Sequence, residues 1–190
     1  MSKRDLTPQK IIETYMTLAA EIGLAKVTFP RIAERLQIKP PSLYNHFNNL
    51  RDLQVQTAIY LHHDLNHMLS TALIGQANEQ ALLAYAITYR DFAHQHAAVY
   101  ELLNTVPSFN NAELSQAGHD NTNLLSRILQ PMVTGERDLL VASRSLRSLL
   151  HGYINLSQLG YFQKDGMADE ESFRAVITSF ITQLNQTSNK

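Results

Sequence analysis

Apolar residues recur at intervals of three and four along almost the whole chain, and no alternating β-branched run bounded by turns interrupts them. This periodicity predicts an all-α protein. The first stripe is Ile11, Tyr15, Leu18, Ala19 and Ile22, with Thr7 and Pro8 suited to cap and first helical position and Gly23 to stop it. A long helix over about 50–73 carries Leu53, Leu61, Leu65, Met68 and Leu69. Further helices are expected over about 79–96, 98–105 and 112–129, with Pro107 and Pro131 marking breaks. Two long helices follow, 136–162, closed by Lys164, Asp165 and Gly166, and 169–186, and the polar tail 187–190 is expected to fray.

The densest local signal is TFPRIAERLQIKPPSLYNHF, from Thr28 to Phe47. The Thr28 hydroxyl is placed to cap a helix beginning at Phe29, with Pro30 tolerated in its first turn. Ile32, Ala33 and Leu36 share the inward face of that helix. A break at Gln37, Ile38 and Lys39 precedes Pro40 and Pro41, whose fixed backbone angle suits the start of a second helix near Pro41. Leu43 and Phe47, four apart, then point inward together, which turns Ser42, Asn45 and His46 outward and leaves Tyr44 near the boundary. Two short helices with a tight break and a polar outer face read as a helix-turn-helix, in which the start of the second helix meets base edges in the major groove. Two amphipathic helices broken by prolines also occur in helical domains that never touch nucleic acid.

The run resembles the N-terminal module of the TetR family of bacterial regulators, through Gly23, Thr28, Ile32, Ala33, Leu36, Leu43, Tyr44, His46, Phe47 and Leu53. One position departs from the family pattern: the phosphate-approaching lysine three residues after the motif's Phe is here Leu50, with Arg51 adjacent as the candidate substitute. The segment 145–162 also resembles the WHG-type C-terminal domain of one branch, through His151, Gly152, Leu156, Gly160 and Phe162, although the chain contains no tryptophan. The resemblance implies a three-helix DNA-binding module over 1–49 and a larger helical ligand-binding and dimerisation domain over 50–190. It further implies a one-component regulator, a repressor, that binds a palindromic double-stranded DNA operator as a homodimer and is released by a small-molecule effector. Ser42 and Asn45 are then the expected base readers, Pro41 an apolar contact, and Thr28, Arg31, Lys39, Tyr44 and His46 the phosphate contacts.

Composition and charge refine this picture. A chain of 190 residues is long enough to bury a sizeable core without staples, and the absence of cysteine excludes disulfides, thiol nucleophiles and thiolate metal sites. The net charge of −1 is unevenly spread: residues 1–55 hold eight Lys and Arg against five Asp and Glu, so the DNA end is positive and the remainder negative. No run approaches the roughly 20 apolar residues that span a bilayer, and the polar start has no signal-peptide pattern, so a cytoplasmic protein without membrane contact is expected.

The last two helices carry more apolar surface than one neighbour covers. Phe173, Val176, Ile177, Phe180, Ile181 and Leu184 form one stripe, and the helix before it is apolar around much of its circumference between Leu146 and Leu159. Packing against the chain's own helices is one outlet for this excess; a two-fold dimer through these two helices is the expected one. Gly152, in mid-helix, costs about 1 kcal/mol relative to alanine, which points to close approach of another helix or of a ligand, with helix packing the expected one. Candidate effector contacts on the preceding helices are Met68, Tyr85, Tyr89, Phe92, Tyr100 and Leu103. Phe109, Leu125, Leu129, His151 and Asn155 complete the set, and its few charges suggest a neutral or weakly polar, partly aromatic ligand. Aromatics at this spacing also serve as plain core.

His63 and His67 lie one helical turn apart, the spacing of two metal ligands, and His94, His96 and His119 are further candidates, but no carboxylate or cysteine completes a motif. Neither a metal nor another cofactor is therefore expected. No phosphate loop, GxSxG, HExxH or paired-carboxylate arrangement points to an enzyme. The competing class is a helical small-molecule or metal-binding sensor that binds no operator.

Overall fold

The computed structural model describes residues 6–163 and 166–188. Its helices are α1 (Pro8–Ile22), α2 (Phe29–Arg35), α3 (Leu50–Ala72), α4 (Asn78–Gln95), α5 (Val106–Phe109), α6 (Ala112–Leu129), α7 (Glu136–Gln158) and α8 (Asp169–Ser188). Short 3-10 segments intervene, the longest being Pro40–Asn45 and Tyr100–Thr105. No strand occurs among the described residues, as the periodicity requires.

Contacts divide the chain into two compact units, 1–63 with 96–117 and 64–95 with 118–190, so the division falls within α3 and within α6. In the first unit the Thr7 hydroxyl accepts from the Lys10 amide (3.2 Å) and Pro8 opens α1. Gly23 ends the helix at φ +86°, a conformation that disfavours any side chain. The inward stripe predicted for α1 meets α2, and α2 in turn packs on the segment Pro40–Asn45. Ile11, Tyr15, Ile32, Leu43, Leu53 and Leu61 are all fully buried.

The second unit has α4 packed against both α7 and α8, which also touch one another. Its core includes Leu65, Leu69, Leu82, Tyr85, Phe92, Leu125, Leu129, Leu146, Ile154, Phe173 and Ile177. The α8 stripe is buried at Phe173, Ile177 and Ile181 and half-buried at Val176, Phe180 and Leu184. Buried Arg90 lies with its guanidinium 5.1 Å from the Phe173 ring centre.

Several local expectations are corrected. Thr28 holds the extended N-cap conformation of α2, yet its hydroxyl makes no capping hydrogen bond. The second helix of the motif starts at Pro40 and is a 3-10 segment of six residues, because its first two residues have no N–H and its length allows only one further turn. Pro107 lies inside the first turn of α5 instead of separating elements. Helix α7 stops at Gln158, where Gly160 at φ +82° lets the Tyr161 amide bond back to the Leu156 carbonyl (3.1 Å). Lys164 and Asp165, expected to close it, lie outside the described residues, as do the last two residues of the tail. Among the described residues nothing approaches Gly152 closely: a Cβ there would meet nothing within 4 Å.

Candidate nucleic-acid interface and effector core

The break in the motif is built by hydrogen bonds. Gln37 takes φ +55°, which lets the Ile38 amide reach the Ala33 carbonyl (2.9 Å) and the Gln37 amide the Glu34 carbonyl (3.0 Å). The chain then turns into Pro40–Asn45, where the Ser42 amide donates to the Lys39 carbonyl at 2.9 Å. Leu43 and Phe47 are buried as the spacing demanded. Pro41, Tyr44 and Asn45 are exposed, whereas Ser42 and His46 are half-buried. Tyr44 is 59% exposed yet not loose, since its ring meets that of buried Phe29 edge-on at 5.1 Å. Thr28, Arg31 and Lys39 are exposed beside this face.

The start of α3 is fixed by a reciprocal cap. The Asn48 amide donates to Asp52 Oδ2 (2.8 Å) and the Asp52 amide to Asn49 Oδ1 (2.9 Å). Arg51 is engaged elsewhere than the motif: its Nη2 donates to the Ser108 carbonyl (3.1 Å), and its guanidinium lies 5.3 Å from the Phe109 ring centre. Arg35, at the end of α2, is paired with Glu21, which lowers the Glu21 pKa and raises that of Arg35.

The aromatic candidates separate by unit. Tyr100, Leu103 and Phe109 belong to the first, where Tyr100 and Leu103 are buried and Phe109 is half-buried under Arg51. In the second unit Tyr85, Tyr89, Phe92, Leu125 and Leu129 are buried, Met68 and His151 half-buried, and Asn155 exposed. Three of these come together: the Tyr85 and Tyr89 rings lie 6.1 Å apart, and Tyr89 meets the His151 ring edge-on at 5.6 Å. Tyr89 Oη and His151 Nε2 are 3.5 Å apart. Burial, then the Arg147 charge, lowers the His151 pKa, and burial raises that of Tyr85.

The sequence reading missed Asn121. Its Oδ1 accepts from the Tyr85 hydroxyl (2.9 Å), while its buried Nδ2 has no hydrogen-bond partner among the described residues. A signal was present: Leu114, Ala117, Asn121 and Leu125 follow a 3, 4, 4 spacing on α6, so one polar residue interrupts a buried stripe.

Among the described residues no three His, Asp or Glu side chains are grouped to hold a metal, and His63, His67, His94 and His119 are exposed. No described helix is long and apolar enough to cross a membrane.

Comparisons with known proteins agree with both regions. Residues 11–55 match the family described as bacterial regulatory proteins, tetR family, and residues 82–180 match a tetracyclin repressor-like C-terminal domain. An uncharacterized HTH-type transcriptional regulator of Mycobacterium tuberculosis is 27% identical over 180 residues, covering 94% of this chain and 80% of that protein. A solved structure of unknown function from Rhodococcus sp. RHA1 shares the fold at a TM-score of 0.82 and 18% identity, over 94% of this chain and 95% of that one. A TetR variant from Acinetobacter baumannii, solved with minocycline, does so at 0.70 and 18% identity, over 97% and 99%. The helix-turn-helix at one end and the repressor-like helical domain matching over half the chain lead to one conclusion: this protein belongs to the TetR family of bacterial transcriptional regulators.

Proposed function

We propose that this chain is a cytoplasmic one-component repressor that binds a palindromic operator as a homodimer and leaves it when a small molecule occupies the C-terminal part. Functionally the chain divides at residues 49 and 50, with the reader before the boundary and effector binding and dimerisation after it. The observation that carries the reading is the face of 28–47: Pro41, Tyr44 and Asn45 stand exposed on a base of buried Leu43 and Phe47. Ser42 and Asn45 read bases and Pro41 makes an apolar contact. Thr28, Arg31, Lys39, Tyr44 and His46 hold phosphate, so the salt dependence corresponds to only a few phosphates per module.

Support for the dimer lies on α7 and α8. Val141, Ser145, Ser148, Gly152 and Leu156 are exposed along one line of α7, with small residues at its middle. A groove beside it is lined by Val141, Ala142, Phe180 and Leu184. Two copies joined here give two short reading segments, each covering a few base pairs, and the pair supplies the specificity one lacks. Effector binding favours a conformation in which α3 reorients the reading segments so that they no longer fit successive major grooves.

A fluorescence titration against the DNA upstream of the protein's own gene tests the reading, with random DNA as the reference at moderate salt. Preferential binding of the upstream fragment is expected; equal affinity for both overturns operator recognition. Tyr44→Ala should weaken binding to all sequences, whereas Asn45→Ala should relax preference at particular bases by about 1–3 kcal/mol.

A further inference from the structure

The second unit buries a polar group that the described residues leave unsatisfied. Asn121 is 9% exposed, and its Nδ2 is shielded from solvent without a hydrogen-bond partner. A buried amide donor left in this state keeps its full desolvation cost, so it is retained where something else accepts from it. The orientation of the amide follows from Tyr85, whose fully buried hydroxyl donates to Oδ1 and leaves Nδ2 as the outstanding edge. On α4 the next aromatic ring is Tyr89, and on α7 His151 stands edge-on to it. The 3.5 Å separation of Tyr89 Oη and His151 Nε2 is at the long limit of a hydrogen bond. Arg147, a cation, acts on both Tyr85 and His151. Donor, aromatic walls and nearby positive charge all favour an acceptor oxygen over a cationic group.

We propose that Asn121, held by Tyr85, is the polar anchor of the effector site, and that the effector is a flat aromatic or conjugated molecule carrying a carbonyl or carboxylate oxygen. The oxygen accepts from Nδ2, and the flat body lies along Tyr85, Tyr89 and His151. This deepens the regulator reading by naming the ligand class, but it is tested on DNA-free protein, so it fails or stands independently of operator binding.

The test is calorimetric titration with a matched pair of probes, 2-acetylnaphthalene and 2-ethylnaphthalene, which differ in the carbonyl oxygen. The acetyl compound should bind about tenfold tighter or more, since a site built to donate a hydrogen bond rejects the analogue lacking the acceptor. Asn121→Leu should remove that preference while keeping the affinity for the ethyl compound. Tyr85→Phe, a smaller change that keeps the ring, should reduce the preference several-fold by releasing the amide. A third probe, 2-naphthoate, should bind at least as well as the acetyl compound and lose affinity in Arg147→Gln if a carboxylate is the better acceptor; an Arg147-independent affinity assigns the neutral carbonyl. Equal affinity for the acetyl and ethyl compounds, or no binding of any probe, overturns the proposal. So does an Asn121→Leu protein that melts higher and discriminates as before, because Nδ2 would then have been satisfied by a buried water alone.

Discussion

At the scale of single residues, Gln37 and Arg51 depart from what simple patterning provides. Gln37 adopts φ +55°, a left-handed conformation that costs a non-glycine residue roughly 1 kcal/mol, and it does so where the two helices of the reading motif separate. Gln37→Gly should therefore raise stability by about 0.5–1 kcal/mol in urea unfolding without moving the inward residues; a loss of stability would show that the glutamine side chain supports the turn. Arg51 occupies the neighbourhood where the family pattern has a phosphate-approaching lysine, and it is instead bonded to the Ser108 carbonyl and laid over Phe109. Arg51→Ala should lower stability by about 1 kcal/mol and leave the salt slope of DNA binding unchanged. A slope reduced by about one phosphate, with stability unaffected, would return Arg51 to the DNA. The sequence could propose Arg51 as a substitute from its position; it could not show a partner 57 positions further along the chain.

At the scale of elements, the apolar spacing located every main helix, and the errors fell at the ends. The segment after Lys39 was legible as helical through Leu43 and Phe47, but two consecutive prolines and a length of six residues make it 3-10. The end of α7 was misplaced because its apolar residues continue to Phe162 while Gly160 reverses the backbone. Gly152 shows the same limit in another form. Its place in mid-helix pointed to a close neighbour, yet its Cβ direction is open, so the cost to the helix is unreturned within the chain. Gly152→Ala should raise the stability of the monomer by up to about 1 kcal/mol. Gly152→Leu should shift the protein from dimer to the 21.5 kDa monomer in sedimentation velocity. A dimer as tight in Gly152→Leu as in the parent would place the two-fold contact elsewhere.

At the scale of the whole molecule, folding lowers the pKa of two histidines, one in each unit. His62, in the first, is buried, and neither ring nitrogen has a hydrogen-bond partner among the described residues. Burial lowers its pKa, the Leu103 backbone acts the other way, and His63 adds to the lowering. His151, in the second, is lowered in the same direction. A histidine whose folded pKa lies below its unfolded value binds its proton first in the unfolded chain. The stability it contributes is thus complete above about pH 6.5 and is lost as pH falls from there toward the folded pKa. Urea midpoints should drop across that window, and His62→Leu should flatten the drop. An unchanged profile in His62→Leu and in His151→Leu would trace the acid sensitivity to other groups.

The sequence by itself determined the helical class, the inward set Ile32, Ala33, Leu36, Leu43 and Phe47, and the outward polar face of the reading motif. Helical periodicity and proline and glycine chemistry are local, acting between residues no more than four apart. Tertiary structure alone decided what depends on distant partners: Arg51 against Ser108 and Phe109, Asn121 against Tyr85, and the open space at Gly152. Each is a question of which groups remain unsatisfied once the chain has packed, and that balance is struck between residues that periodicity along one helix cannot pair.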